Sequence, residues 1–268
     1  MQNTQRVFMK IATWNVNSVR MRLPLLLEWL KEQQPDVVLL QETKCMNDVF
    51  PRQEIEDLGY NIAVYGQKTF NGVAILAKSP IEDVTTGVPN VLDEEGSQTR
   101  YIEAVVGKVR VVSVYVPNGQ EVGCDKFLYK MEFLKQLHKH LESLLNYEEI
   151  CIIGGDFNIA PTDRDVAKPE NWVGDVLCSP EERQWYRALL NLGYQDAIRL
   201  HHHDEKGPYT WWDYRSGAFE KGGGLRIDHL LLSPQATDIA VSSGVDRELR
   251  AKEKASDHAP VWCTLNTI

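Results

Sequence analysis

The sequence predicts an α/β sandwich, and three observations carry that expectation. Short β-branched runs bounded by turn residues recur along the 268 residues. A few long amphipathic segments lie between them, and no GxGxxG or Walker loop marks a doubly wound nucleotide fold. The runs at residues 7–12, 36–40, 72–76, 100–106, 110–116, 150–153, 227–232 and 260–265 read as strands. Several are apolar without alternation, which suits strands buried on both faces.

Three segments have helical spacing. Residues 22–33 carry Leu23, Leu26, Leu27 and Leu30 and open near Pro24. Residues 126–145 repeat Phe127, Met131, Leu134, Leu137, Leu141 and Leu144. Residues 180–192 place Trp185, Leu189 and Leu192 on one side and stop before Gly193, which suits a helix C-cap. Such stripes are core-facing surfaces and carry no function of their own.

Hydrophobic content of 43% and charged content of 25% are ordinary for a globular chain. No apolar run approaches the roughly 18 residues of a membrane span. Residues 1–8 lack the apolar stretch of a secretory signal and read as a flexible extension. Residues 9–268 hold no repeat, linker or low-complexity tract, so one domain is expected, and a monomer. Five cysteines without a CxxC pair disfavour structural zinc and a disulfide framework, and fit a reducing cytoplasm. The net charge of −9 argues against a nucleic-acid partner, since phosphates are bound by Lys and Arg. A locally basic face, or metal ions, would have to overcome it.

The informative pattern is what borders the strands. Apolar runs end in Trp14-Asn15-Val16-Asn17, Leu40-Gln41-Glu42, Tyr115-Val116-Pro117-Asn118 and Gly154-Gly155-Asp156-Phe157-Asn158. Ile227-Asp228-His229 and Ser256-Asp257-His258 instead precede or open strands. One carboxylate of this kind is ordinarily a turn or cap residue. Six polar clusters at strand ends make sense if they converge, because burying unpaired carboxylates is costly. Asp, Glu and Asn are hard oxygen ligands that suit Mg²⁺ or Mn²⁺. His258 can carry positive charge, and Tyr115 with the amides offers neutral donors. Together they match metal-assisted phosphoryl transfer to water.

The order WNVNSVR, LLQETKC, YVPNG, GGDFNIAP, GLRIDHLLLS and SDHAPV resembles the exonuclease III family of DNA-repair nucleases. That family lies within the DNase I-like endonuclease/exonuclease/phosphatase superfamily, and the match runs from about residue 10 to 265. GDFN and SDHxP are shared across the superfamily; QETK, YVPNG and GLRID point to the DNA-repair branch. The resemblance implies a four-layer α/β/β/α sandwich of two packed mixed sheets with the site at one rim. It implies one or two Mg²⁺ or Mn²⁺ ions, with Glu42 the principal ligand, Asn15 and Asn17 nearby, and Asp257 completing the region. A second ion would lie near Asp156 and Asn158. Asn17 stands where some relatives carry Asp, which removes one charge.

By the same resemblance, Asp156 would orient or deprotonate water and Asn158 would stabilise the transition state. His258, paired with Asp228, would bind the scissile phosphate, with Tyr115 and Asn118 touching it and Lys126 near the backbone. Trp211, Leu225, Arg226 and Ile227 would line a pocket for an extruded abasic sugar.

Residues 209–214 read first as a strand, followed by a flexible loop at 222–224, and Trp212 reads as core. His201-His202-His203 reads as a solvated loop, because consecutive residues converge poorly on one ion. Residues 247–254 read as a solvated segment, and Cys45 and Cys151 as buried apolar residues. The implied substrates are double-stranded DNA with abasic sites, blocked 3′ ends or normal 3′ ends. The 161–180 segment and the 211–224 loop are expected to set their balance through access. Two rivals stand beside this reading: a phosphatase or lipid phosphodiesterase of the same superfamily, and a catalytically inactive DNA- or protein-binding module.

Overall fold

A computed structural model describes residues 8–91 and 98–267. The chain opens with β1 (Phe8–Asn15), α1 (Val19–Gln33), β2 (Val37–Gln41), α2 (Arg52–Glu56), β3 (Asn61–Tyr65), β4 (Val73–Ala77) and β5 (Ile81–Thr86). It continues through β6 (Tyr101–Val106), β7 (Val109–Tyr115), α3 (Asp125–Leu145), β8 (Ile150–Asp156) and α4 (Pro180–Asn191). It closes with β9 (Gln195–Asp196), α5 (Ala197–His201), β10 (Asp228–Leu232), α6 (Pro234–Asp238), β11 (Ala240–Val245) and β12 (Val261–Asn266). All eight expected runs are strands. The expected extension falls on residues 1–7, outside the described residues, except that Phe8 already pairs with Asn266.

Two six-stranded sheets result, ordered β11-β12-β1-β2-β4-β3 and β5-β6-β7-β8-β10-β9. Both are mixed: β1 runs parallel to β2 and β7 parallel to β8, and the other pairs are antiparallel. Alternate residues of each central strand face opposite ways. Ile11, Val37, Leu39, Ile75, Val111, Ile152, Leu230 and Val261 join one core between the sheets. Their neighbours Ala12, Val38, Leu40 and Leu76 pack instead under Leu26, Trp29 and Leu30 of α1. On the far side Val112, Ile153 and Leu231 pack under Leu134 and Leu137 of α3 and Leu189 of α4. The layers are α/β/β/α, and central strands buried on both faces explain the unbroken apolar runs.

The differences from expectation are local. Helix α1 begins at Val19, so Pro24 lies inside it and forgoes one backbone bond. Helix α4 is capped by reciprocal Ser179–Glu182 bonds and is followed by Gly193 at φ +120°. Residues 209–214 form no strand; Trp211 makes only isolated bridges to Leu225 and His258. His201 closes α5 and, with His202, bonds Ser243 of β11, so this run is partly packed. Residues 247–251 form a 3-10 turn, and Arg247 and Arg250 lie over Phe219. Trp212, Cys45 and Cys151 are buried as expected.

Gly154 and Gly155 let β8 run between close neighbours. A Cβ on Gly155 would lie 1.9 Å from the Val114 carbonyl oxygen, and one on Gly154 would lie 2.6 Å from Leu39 Cδ1. Backbone cannot yield as a side-chain tip can. Gly155→Ala is therefore expected to destabilise the fold by about 1–3 kcal/mol or more, read as a lower urea midpoint at unchanged slope. A wild-type midpoint would show that β7 and β8 separate freely.

Candidate active site

Along each central strand the inward face changes from apolar to polar toward one end of the sandwich. Strand β1 runs Ile11, Thr13, Asn15; β2 runs Leu39, Gln41; β7 runs Val111, Ser113, Tyr115; β8 runs Ile152, Gly154, Asp156. Below the rim lies a buried polar layer. The Gln41 amide donates to Thr13 Oγ1 at 2.9 Å and to Ser113 Oγ at 2.9 Å. Above it are the strand-end groups.

Asn15, fully buried, ties the two sheets together. Its amide nitrogen donates to Glu42 Oε1 at 2.8 Å and to Asp156 Oδ2 at 3.0 Å. Its own Oδ1 accepts from the Asn17 backbone N–H at 3.0 Å. Asp156 also accepts the Asn158 backbone N–H at 2.8 Å, while the Asn158 amide donates to the Val116 carbonyl at 2.9 Å. Asn17, Glu42 and Asn158 have φ of +44°, +50° and +51°. Left-handed backbone at three such positions, one of them a glutamate, marks a site whose geometry the fold imposes.

Asp228 and His258 come from opposite sheets and meet in the same space. The His258 Nδ1 lies 3.1 and 2.9 Å from the two Asp228 oxygens, which fixes Nδ1 as a donor. Its Nε2 then faces Asp156 Oδ2 at 3.8 Å. Burial alone would lower the imidazole pKa, but the Asp228 and Asp156 charges raise it to about 10. Asp156 moves toward neutrality, to about 7: burial raises it, His258 opposes, and Asp228 and Glu42 add to the rise. Burial also works against charge on Glu42, yet the Lys44 ammonium and the Asn15 amide hold its carboxyl below the ordinary range.

Other expected residues fall into place unevenly. Asp257 accepts from the Asn17 amide at 2.9 Å and from the Trp211 indole N–H at 3.0 Å. It does not join Glu42, Asp156 and His258, whose ligand-capable atoms all lie within 4.8 Å of one another. Tyr115, half-buried at the end of β7, stacks under Arg100 at 4.8 Å. Asn118 donates to Asn158 Oδ1 at 3.2 Å. With Gln98, Arg100, Tyr115, Gln120 and Lys126 it lines a cleft of about 330 Å³ that, among the described residues, has two cations and no carboxylate.

Arg226 requires correction as a DNA contact. It is 1% exposed, with its guanidinium at 2.7 Å from both Asp165 and Asp196 and 3.0 Å from His229 Nδ1. Leu225 and Ile227, at 1% and 2% exposure, likewise show no open pocket face. Trp211 alone of that group remains half-buried at the rim.

Two functional neighbours escaped sequence reasoning. Lys44 Nζ sits 2.7 Å from Glu42 Oε2 and 2.6 Å from Asn17 Oδ1. Ser256 Oγ donates to the Asn15 carbonyl at 2.7 Å and accepts the His258 N–H at 3.2 Å, locking the His258 loop to β1. Both lie inside runs already singled out, QETK and SDH, two residues from a site residue.

The donor set fits a divalent cation. Glu42 and Asp156 present hard oxygens to one space, where burial, with Asp228 and Glu42 nearby, disfavours a second unneutralised carboxylate.

Comparison with known proteins agrees with this geometry. A family described as the endonuclease/exonuclease/phosphatase family matches residues 12–258. The chain belongs to that family. Within it, the chain falls in the exonuclease III branch: it is 36% identical over 95% of its length to exodeoxyribonuclease III of Haemophilus influenzae, covering 98% of that protein. The 3′ phosphatase NExo from Neisseria, solved with a product DNA hairpin, is 41% identical with a TM-score of 0.93 over 97% of this chain and 100% of that one. An AP endonuclease from Archaeoglobus fulgidus is 35% identical with a TM-score of 0.91 over the same shares.

In this exonuclease III-like site the imidazole should be a cation at neutral pH. An unfolded His258 would lose its proton near 6.5 and the folded one near 10. Its contribution to stability is therefore complete below about 6.5 and is lost as pH rises through about 10. Imidazole nitrogen NMR of the metal-free protein should show His258 doubly protonated at pH 8, with Asp228→Asn lowering the midpoint. A wild-type midpoint near 6.5 would contradict the cation.

Proposed function

We propose that this protein hydrolyses phosphate esters of double-stranded DNA through a single centre built on Asp156, Asp228–His258 and Glu42, acting on abasic sites and on blocked or normal 3′ ends. Membership of the exonuclease III branch makes it a DNA-repair phosphodiesterase. The observation that carries the catalytic assignment is the convergence of Glu42, Asp156 and His258 within 4.8 Å, with Asn15 bridging the two carboxylates.

Glu42 and Asp156 would hold Mg²⁺ or Mn²⁺, with Asn15 and Asn17 orienting them and Asp257 setting Asn17. Bound there, the cation supplies charge neutralisation at the phosphate. His258, kept protonated by Asp228, donates from Nε2 to a non-bridging phosphate oxygen. Asp156, held by the Asn15 amide and the Asn158 N–H, accepts a proton from water on the same side. The water oxygen then bonds to phosphorus, the bond to the leaving nucleoside oxygen breaks, and that oxygen takes up a proton. Asn158, whose amide donates to the Val116 carbonyl and to Asp156, would hold that carboxylate in place, and Tyr115 would offer a hydroxyl toward the transferring group. Asn118 and Lys126, which line the cleft with Arg100, would meet the DNA backbone. The five free thiols suit the cytoplasm as the place of action.

The test uses purified protein with Mg²⁺ on three duplexes: one with a 3′ phosphate, one with an abasic analogue, one with a normal 3′ end. Hydrolysis is expected to need the cation, and Asp156→Ala should cut turnover roughly 10²- to 10⁴-fold. Full activity in that variant, or none of any kind in the wild type, would overturn the assignment.

A further inference from the structure

The rim beside His258 is closed by the chain itself. Trp211 bridges His258 on one side and Leu225 on the other, and Leu225 in turn bridges Val166. Backbone bonds fasten this short ladder: Leu225 N–H to the Trp211 carbonyl at 2.9 Å, and Ala167 N–H to the Gly224 carbonyl at 3.0 Å. The Trp211 indole N–H holds Asp257 at 3.0 Å, so its ring is fixed one bridge from the imidazole. Trp172 packs edge-on against that ring, with centroids 6.4 Å apart and planes at 84°. Both rings join a small apolar cluster with Val166, Leu177, Leu225 and Ile227.

The segment that carries Trp172 is anchored at several points. Its neck closes where the Ala160 N–H donates to the Leu177 carbonyl at 2.7 Å. Asp165 caps its first turn through Thr162 and binds Arg226 at 2.7 Å and Arg199 at 2.5 Å. Arg183 holds Asp163 at 2.9 Å and the Ala160 carbonyl at 3.1 Å. The same buried ion network that removes Arg226 from solvent therefore also fastens the start of the segment that carries Trp172.

A phosphate inside a duplex carries a further sugar beyond it. To reach a buried imidazole, that nucleotide must rotate out of the stack and find apolar surface beside the phosphate. The apolar side chains bridged to His258 are Trp211 and then Leu225, and Leu225 is covered. A terminal 3′ phosphate has nothing beyond it and needs no such room.

We propose that Trp172 is a specificity-determining residue: by covering the apolar wall next to His258 it favours removal of a terminal 3′ phosphate over incision at an internal abasic site. The proposal rests on the hydrolytic reading above. It is tested by measuring kcat/KM on a 3′-phosphorylated hairpin and on a duplex with an internal abasic analogue, with Mg²⁺, for the wild type, Trp172→Ala, Trp172→Phe and Trp172→Leu. Losing one aromatic contact should raise abasic incision roughly three- to tenfold, with phosphate removal within about twofold of wild type. Phe should keep most of the wild-type preference, and Leu should relax it. Should the alanine variant fail to fold, the ratio of the leucine variant decides. Unchanged ratios, or a wild type that incises the abasic duplex faster than it removes the phosphate, overturn the proposal. A wild type inert on both substrates overturns the hydrolytic reading itself.

Discussion

The bridging amide of Asn15 is the contact on which the rest of the site depends. It belongs to one sheet, reaches Glu42 on that sheet at 2.8 Å, and reaches Asp156 on the other at 3.0 Å. Two carboxylates facing each other across a sandwich would push the sheets apart, and leaving them without donors would cost heavily. The amide satisfies one oxygen of each and keeps both aimed into the same space. His258 and Asp228 repeat the device in reverse, with the donor just before β12 and the acceptor on β10. The site is therefore an interface between sheets, and its precision comes from their packing.

That packing explains the gradient along the strands. Deep in the sandwich, inward positions are Ile, Leu and Val; toward the rim they become Thr13, Gln41 and Ser113, then Asn15, Tyr115 and Asp156. The middle layer forms its own hydrogen bonds and needs no solvent. It separates a dry core from charged groups, so these central strands carry polar residues at their ends without loss to the core. Gly154 belongs to the same design, because a side chain there would strike Leu39 and Leu230 where the sheets are closest.

This gradient also decides what the sequence revealed. Central strands are apolar on both faces, and every one was legible. The four strands that went unrecognised, β3, β5, β9 and β11, are the four sheet edges. Edge strands cover little core: β5 reads IEDVTT and lies mostly exposed, and β9 is two residues long. Glu42, Asp156 and His258 were legible because acids and a histidine at the ends of apolar runs are out of place unless they converge. The partner of Arg226 was not, since Asp165 and Asp196 lie 61 and 30 residues away in sequence. A buried arginine and a surface arginine look alike until the fold brings its carboxylates to it.

The acidic balance of the chain becomes less contradictory once charges are placed. Lys130 is buried against Glu182 and Arg226 against Asp165 and Asp196, so neither bears on DNA. Near Tyr115, among the described residues, the cleft is lined by Arg100 and Lys126 without a carboxylate. In the centre itself carboxylates gather: Glu42, Asp156 and Asp228 stand beside Lys44 and the His258 imidazolium. A divalent cation between Glu42 and Asp156 would neutralise the carboxylates that face each other there. Without it burial, helped by Asp228 and Glu42, draws Asp156 toward the neutral acid, and with it the same carboxylate would regain its charge. Part of the charge that argues against a phosphate ligand therefore stands where a cation would bring that phosphate in.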